Sequence, residues 1–184
     1  MSLPAEPRSW YRKGFIVSTD KKLLSIPAIN HAFDQKFMYW VRPVPDDILQ
    51  KIVDNSFCFG LYELVDGKDS LSESNYYASE ACTTLQTEDL TQVGFARLVT
   101  DNITFAYFTD LYVLPKYQGL GLGGWIIDCI EELLKDLPYL RWVILRTSLE
   151  KSQQSYEKRL GMAVLKSGDI SEGPVMMGRK GKAG

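Results

Sequence analysis

Apolar residues recur along this chain at two different spacings. Where they recur at every second position, or in short runs of branched and aromatic residues, strands are predicted: GFIVSTD (14–20), SFCFGLYELV (56–65), QVGFARLVT (92–100), ITFAYFTDLYVL (103–114) and LRWVILRTS (140–148). In DDILQKIVDNS (46–56), Ile48, Leu49, Ile52 and Val53 share one face and acidic residues fill the first turn, which predicts a helix. Trp125, Ile126, Cys129, Ile130, Leu133, Leu134 and Leu137 also follow helical spacing, with Glu131 and Lys135 four apart on the outer face. SQQSYEKRL (152–160) predicts a further helix that Gly161 stops. KLLSIPAINHAF (22–33) reads as a helical piece interrupted by Pro27, and FMYWVRPVP (37–45), with its two prolines, as a loop.

The remaining stretches complete the order. MAVLKSG (162–168) and GPVMMGRK (173–180) predict two short closing strands, and Asp101 with Asn102 predicts a tight two-residue hairpin link. Residues 1–13 read as a polar N-terminal tail. Residues 66–91, rich in Ser, Thr, Glu and Asp, read as a polar insertion in a single domain spanning 14–184, because too few aliphatics occur there to bury a core. The order β, α, α, β, β, β, α, β, α, β, β predicts the α/β class, a mixed sheet with helices on both faces.

Composition narrows the function. At 184 residues, with 45% hydrophobic and 24% charged positions, the chain has the make-up of one folded domain rather than a disordered segment. A net charge of -2 argues against nucleic acid as the main partner. No apolar run approaches the roughly 20 residues of a membrane helix, and MSLPAEPRSWYRKG lacks a signal peptide's apolar stretch. The three scattered cysteines, Cys58, Cys82 and Cys129, suit a reducing compartment, so a cytoplasmic or nuclear location is expected. The lone histidine, His31, excludes a multi-histidine metal site, and no metal is expected.

The chemistry concentrates at KYQGLGLGGWIIDCI (116–130), where Gly119, Gly121, Gly123 and Gly124 fall within six positions directly ahead of an apolar helix. An ordinary strand-to-helix turn needs less glycine than this. A dinucleotide fingerprint is also satisfied by Gly119, Gly121 and Gly124. Its context fails, because that motif follows the first strand of a parallel sheet and precedes an acidic residue about 20 positions on. The third reading is a pyrophosphate cradle: backbone N–H groups from Gln118 to Gly124 turn inward, beside the positive end of a helix starting near Gly123. On this reading the stretch is bare so that main chain can touch an anion.

LYVLPKYQGLGLGGWIIDCI resembles motif A of the GNAT superfamily, the acetyl-CoA-dependent N-acetyltransferases, in which a strand ending V-x-P is followed by [QR]-x-x-G-x-[GA] and a helix. Val113, Pro115, Gln118, Gly121 and Gly123 occupy the matching positions. SYEKRLGM is similar to that family's Y-E-K-x-G-F helix end, and GPVMMGRK to its last strand, so the resemblance covers about residues 14 to 180. It implies a GNAT-like, mostly antiparallel central sheet, acetyl-CoA as cofactor, and transfer of an acetyl group to a primary amine. Leu120 and Gly124 stand where the family commonly has basic residues, which places the burden of holding phosphate on backbone and helix dipole.

The resemblance also assigns residues. Leu111, Tyr112 and Val113 would pair their backbone with the pantetheine arm as an added strand. Gln118, Gly119, Leu120, Gly121, Leu122, Gly123 and Gly124 would form the phosphate loop, and Ser152 would meet the same arm. Tyr156 would donate a proton to the leaving thiolate, with Asp110 as candidate base and Glu63 its rival. A base or a charge-disfavouring pocket is needed because an alkylamine of pKa near 10.4 is only about one part in 10³ neutral at pH 7. That is a deficit of roughly 4 kcal/mol. Tyr39 and Trp40, with Arg42 nearby, would shape the acceptor site, and Lys151 and Lys158 would reach toward the adenosine phosphate. A small amine, amino acid or peptide end is the expected acceptor, and a monomer or homodimer the expected assembly. A non-catalytic acyl-CoA-binding module, a histone or other protein acetyltransferase and a nicotinamide-dependent oxidoreductase are the alternatives.

Overall fold

The protein is described by a computed structural model over residues 2–65 and 89–165. Six strands form one sheet in sequence order: β1 (Ser9–Arg12), β2 (Phe15–Ser18), β3 (Phe57–Leu64), β4 (Leu90–Thr100), β5 (Phe105–Val113) and β6 (Trp142–Leu145). Neighbours run antiparallel except β5 and β6, which are parallel, so the sheet is mixed and mostly antiparallel as expected. The helices are α1 (Ile26–Phe33), α2 (Asp46–Asp54), α3 (Leu122–Leu134) and α4 (Glu150–Leu160).

Helices cover both faces, and each face has its own core. On one, Ile126, Ile130, Leu133 and Leu134 of α3 pack on Val17, Phe59, Leu61, Ala96 and Leu98. On the other, Ile29, Phe33, Leu49 and Val53 of α1 and α2 meet Cys58, Phe95 and Tyr112. The two-faced strand pattern thus follows from burial on both sides of the sheet.

Several expectations need correction. The leading residues are not a tail: SWYR is an edge strand in register with Phe15–Ser18, Trp10 donates to Glu132 at 3.0 Å, and Leu3 is buried in the α3-side core. Pro27 does not interrupt a helix but lies in the first turn of α1, where its missing N–H costs nothing, with Ser25 capping Ala28. The link between β4 and β5 spans residues 101–104 rather than two, and Asp101 accepts backbone bonds from Ile103, Thr104 and Phe105. The strand expected over 140–148 is only four residues long, Leu137 lies beyond the end of α3, and Met162–Leu165 are not strand. The rest of the two closing strands, and residues 66–88 of the polar insertion, lie outside the described residues; Leu90 and Thr91 belong to β4.

Gly94 shows how tightly the strands are fitted near the site. A Cβ built there would lie 2.7 Å from the Tyr112 carbonyl oxygen and 3.0 Å from the Leu61 side chain. Backbone cannot yield as a side-chain tip does. Gly94→Ala is therefore expected to destabilise the fold by about 1–3 kcal/mol, the usual range for overpacking. A lowered urea midpoint at unchanged slope would show it, and a midpoint equal to the wild type's would contradict it.

Candidate functional site

Pairing between β5 and β6 ends at Phe108↔Leu145, although β5 runs on to Val113. Among the described residues, no strand pairs with Thr109–Val113 on the β6 side. The sheet forks there, leaving a length of main chain with an open edge. The fork coincides with an irregularity in β5: Arg97 opposes Thr109 and Phe95 opposes Tyr112, so Asp110 and Leu111 together face Ala96. That is a β-bulge, and Asp110 within it has a φ of 56°. The bulge also reverses which residues face which core. Ala106 and Phe108 lie on the α3 side, whereas Tyr112 lies on the α1 and α2 side.

β5 leads into a 3-10 turn (Pro115–Tyr117) and then the glycine loop. Gly119 and Gly121 have φ of 85° and 75°, a region that L side chains rarely enter. Gly121 is the N-cap of α3 and, having no side chain, leaves the first-turn amides without a side-chain cap. A Cβ at Gly119 would meet no atom within 4 Å, and one at Gly123 would meet only Val113 Cγ2 at 3.8 Å. Among the described residues, no side chain crowds the positions a Cβ would take at Gly119 and Gly123. Gln118 Nε2 donates to the Val113 carbonyl at 2.9 Å, tying the loop to the end of β5.

Gly124 is bare for a different reason. A Cβ there would stand 2.6 Å from the Arg159 guanidinium, which crosses from α4 to pair with Asp128. From the other side Arg12, on β1, lies over the Trp125 ring at 5.9 Å and 3.8 Å from a Cβ built on Gly121. Two guanidinium groups thus flank the start of α3. Sequence reasoning missed both, since they come from more than 30 positions away on one side and over 100 on the other; no local signal marks them.

The other candidate residues fall into place unequally. Leu122 and Tyr112 have buried side chains, leaving only their backbone to meet a ligand, whereas Leu120 is exposed. Tyr156 sits on α4 with its ring edge-on to Phe108 at 5.7 Å, at the point where β5 and β6 part. Burial pushes its phenol up to about 12. Ser152 lies one turn earlier on the same helix, half-buried, while Lys151 and Lys158 are exposed. The Tyr39 hydroxyl hydrogen-bonds that of Ser148, between β6 and α4, and its ring meets Trp40 at 5.0 Å. The segment joining α1 to α2 is thereby held beside the start of the helix that carries Tyr156. Arg42 is exposed on that segment.

The two carboxylates are otherwise engaged. Asp110 is 6% exposed, ion-pairs with Arg97 Nε and accepts from the Thr109 hydroxyl at 3.1 Å. Glu63 accepts from the Tyr117 hydroxyl at 2.6 Å, a bond that raises the phenol's pKa. Cys58 and Cys129 are buried, and burial raises both thiols to about 12, so neither is an activated nucleophile. Among the described residues no group of His, Cys, Asp and Glu could hold a metal ion. No described helix is long and apolar enough to cross a membrane.

A mostly antiparallel sheet that forks beside a glycine-turned helix start is the arrangement that the resemblance in LYVLPKYQGLGLGGWIIDCI implies. The Acetyltransferase (GNAT) family matches residues 50–162, and the chain belongs to that family. A candidate acetyltransferase of Gibberella zeae is 37% identical over 157 residues, which span 85% of this chain and 84% of that one. A GNAT-family crystal structure from Xanthomonas campestris pv. campestris is 27% identical with a TM-score of 0.63, covering 93% of this chain and 96% of that one. A probable acetyltransferase from methicillin-resistant Staphylococcus aureus shares the fold at 17% identity and a TM-score of 0.55, covering 90% and 99%.

Proposed function

We propose that this chain transfers an acetyl group from acetyl-CoA to the primary amine of a small molecule, amino acid or peptide. The observation that carries the reading is the fork: the open edge of β5 ends at a glycine loop whose helix-start amides carry no side-chain cap. Bound acetyl-CoA would supply the activated thioester. The backbone of Leu111, Tyr112 and Val113 would hold the pantetheine arm as a strand is held. Amides from Gln118 to Gly124 would receive the diphosphate, aided by the positive end of α3.

Tyr156 would protonate the departing thiolate. A phenol whose pKa is raised by burial stays protonated throughout the neutral range, ready to donate. Ser152, on the same face one turn away, would meet the pantetheine arm. Tyr39 and Trp40 would line the entrance for the amine, and the Tyr39 bond to Ser148 ties that entrance to the residues just ahead of α4.

The test is thiol release from acetyl-CoA with a panel of alkylamines, polyamines, amino acids and peptides. Release with one or more of them, dependent on the amine, is the expected result. Stabilisation of the fold by CoA with no amine-dependent release would instead identify a non-catalytic acyl-CoA-binding module. Stabilisation by NADPH and not by CoA would overturn the reading altogether.

A further inference from the structure

Asp110 is the only residue in a strand, among those described, that is not glycine and has a positive φ; Lys13 and Asn102 share the trait but lie in turns. Aspartate tolerates this conformation better than most residues, yet it remains costlier than an ordinary extended one. Such a conformation persists only where its surroundings over-determine it. The surroundings here are specific. Arg97 reaches across from β4 to pair with the Asp110 carboxylate, and its Nη1 donates to Ser56 Oγ at 3.1 Å. Ser56 in turn donates to the Ile52 carbonyl at 2.8 Å, anchoring the group to the end of α2. Thr109 fills the other carboxylate oxygen.

The bulge that this network surrounds has two consequences. It turns Tyr112 into the α1 and α2 core and Leu111 toward the other, and it falls where β6 leaves β5. Without the extra residue, the face alternation set by Phe108 would aim the side chain at position 112 into the α3 side. The open edge would then present the wrong set of N–H and C=O groups.

We propose that Arg97 and Asp110 form a clamp that holds the β5 bulge, making Asp110 a positioning residue for the cofactor edge rather than the group that takes the amine's proton. The proposal rests on the reading of that edge as the acyl-CoA site. Both oxygens of the Asp110 carboxylate are taken up within the fold, one by the Arg97 guanidinium and one by the Thr109 hydroxyl. Its geometry suits it to fixing main chain instead.

The experiment compares Asp110→Ala, Asp110→Gly, Asp110→Asn and Arg97→Met/Asp110→Gly, measuring CoA affinity by calorimetry and β4–β5 backbone contacts by NMR. Arg97→Met alone strands a buried carboxylate, so the pair is read in the double variant, which removes both charges and keeps a residue at ease with positive φ. Asp110→Ala is expected to lose the bulge contacts and bind CoA about tenfold more weakly. Asp110→Gly and the double variant lack the clamp but tolerate positive φ, so they should lose part of the bulge contacts and bind CoA more weakly than the wild type, though more tightly than Asp110→Ala. Full retention of bulge and affinity in either would overturn the proposal. The acidic limb of the Asp110→Asn pH–rate profile should coincide with the wild type's. An Asp110→Ala variant that keeps the bulge and binds CoA normally would overturn the proposal, as would a shifted limb in Asp110→Asn. Should the wild type bind no CoA, the reading of the site fails while the clamp is still decided by the NMR contacts.

Discussion

Tyr156→Phe is expected to lower kcat about tenfold or more while leaving CoA affinity nearly unchanged. The tenfold floor is set below the roughly 10²–10⁴-fold that a positioned proton donor contributes, because solvent water can protonate the thiolate in its stead. The substitution keeps the ring, and hence the edge-on contact with Phe108, so packing is not the variable. An interaction made only as the thiolate departs should lower kcat and kcat/KM together. The pH dependence adds a second readout. With its pKa raised to about 12, the phenol stays protonated as pH climbs through 10, where a free tyrosine would ionise. Activity limited by Tyr156 should therefore hold across that range and fall only on approaching pH 12. An unchanged kcat in the phenylalanine variant, under conditions where chemistry limits the rate, would remove Tyr156 from the mechanism.

The second large effect belongs to the glycine loop, where a pair of substitutions separates ligand binding from folding. Gly123→Ala introduces a methyl group 3.8 Å from Val113 Cγ2, an ordinary contact, inside a helix where alanine is favoured over glycine by up to about 1 kcal/mol. Stability should stay level or rise. If the diphosphate rests against this turn, the same methyl group intrudes on it, and CoA should bind about tenfold or more weakly, equivalent to about 1.4 kcal/mol. Gly121→Val acts differently. Its φ of 75° is hostile to a branched side chain, so the cap must strain, at on the order of 1–2 kcal/mol, or rearrange. CoA affinity and thermal midpoint should then fall together. Titration of CoA into both variants, alongside thermal melts, decides the matter; a Gly123→Ala protein that binds CoA as the wild type does would show that the anion does not approach this turn.

What could be read directly from the residues was local. Helices α2 and α3 announce themselves through apolar spacing, and the β3, β4 and β5 strands through branched and aromatic runs. The glycine loop is legible because each of its special positions lies within six residues, and the φ values of Gly119 and Gly121 agree with the need for bare backbone there. Pairings across the fold were not legible. The Arg97–Asp110 pair bridges two strands, its Ser56 anchor comes from the end of a helix, and nothing near position 110 reveals any of it. Arg12 and Arg159 stand at the start of α3, an arrangement that only the packing of β1 and α4 around α3 displays. SWYR reads as tail because four residues between polar neighbours carry too little periodicity, while its hold comes from β2 and from Glu132, far along the chain.

That last strand bears on how the protein can be handled. A variant trimmed to begin at residue 14, the boundary that composition suggests, would strip β2 of its outer neighbour and uncover Phe59, on which Trp10 stacks. The exposed rim would be short, apolar and rich in unpaired amides, the kind of template on which chains join edge to edge. Clumping during purification, rather than a clean loss of activity, is the foreseeable signature of such a truncation.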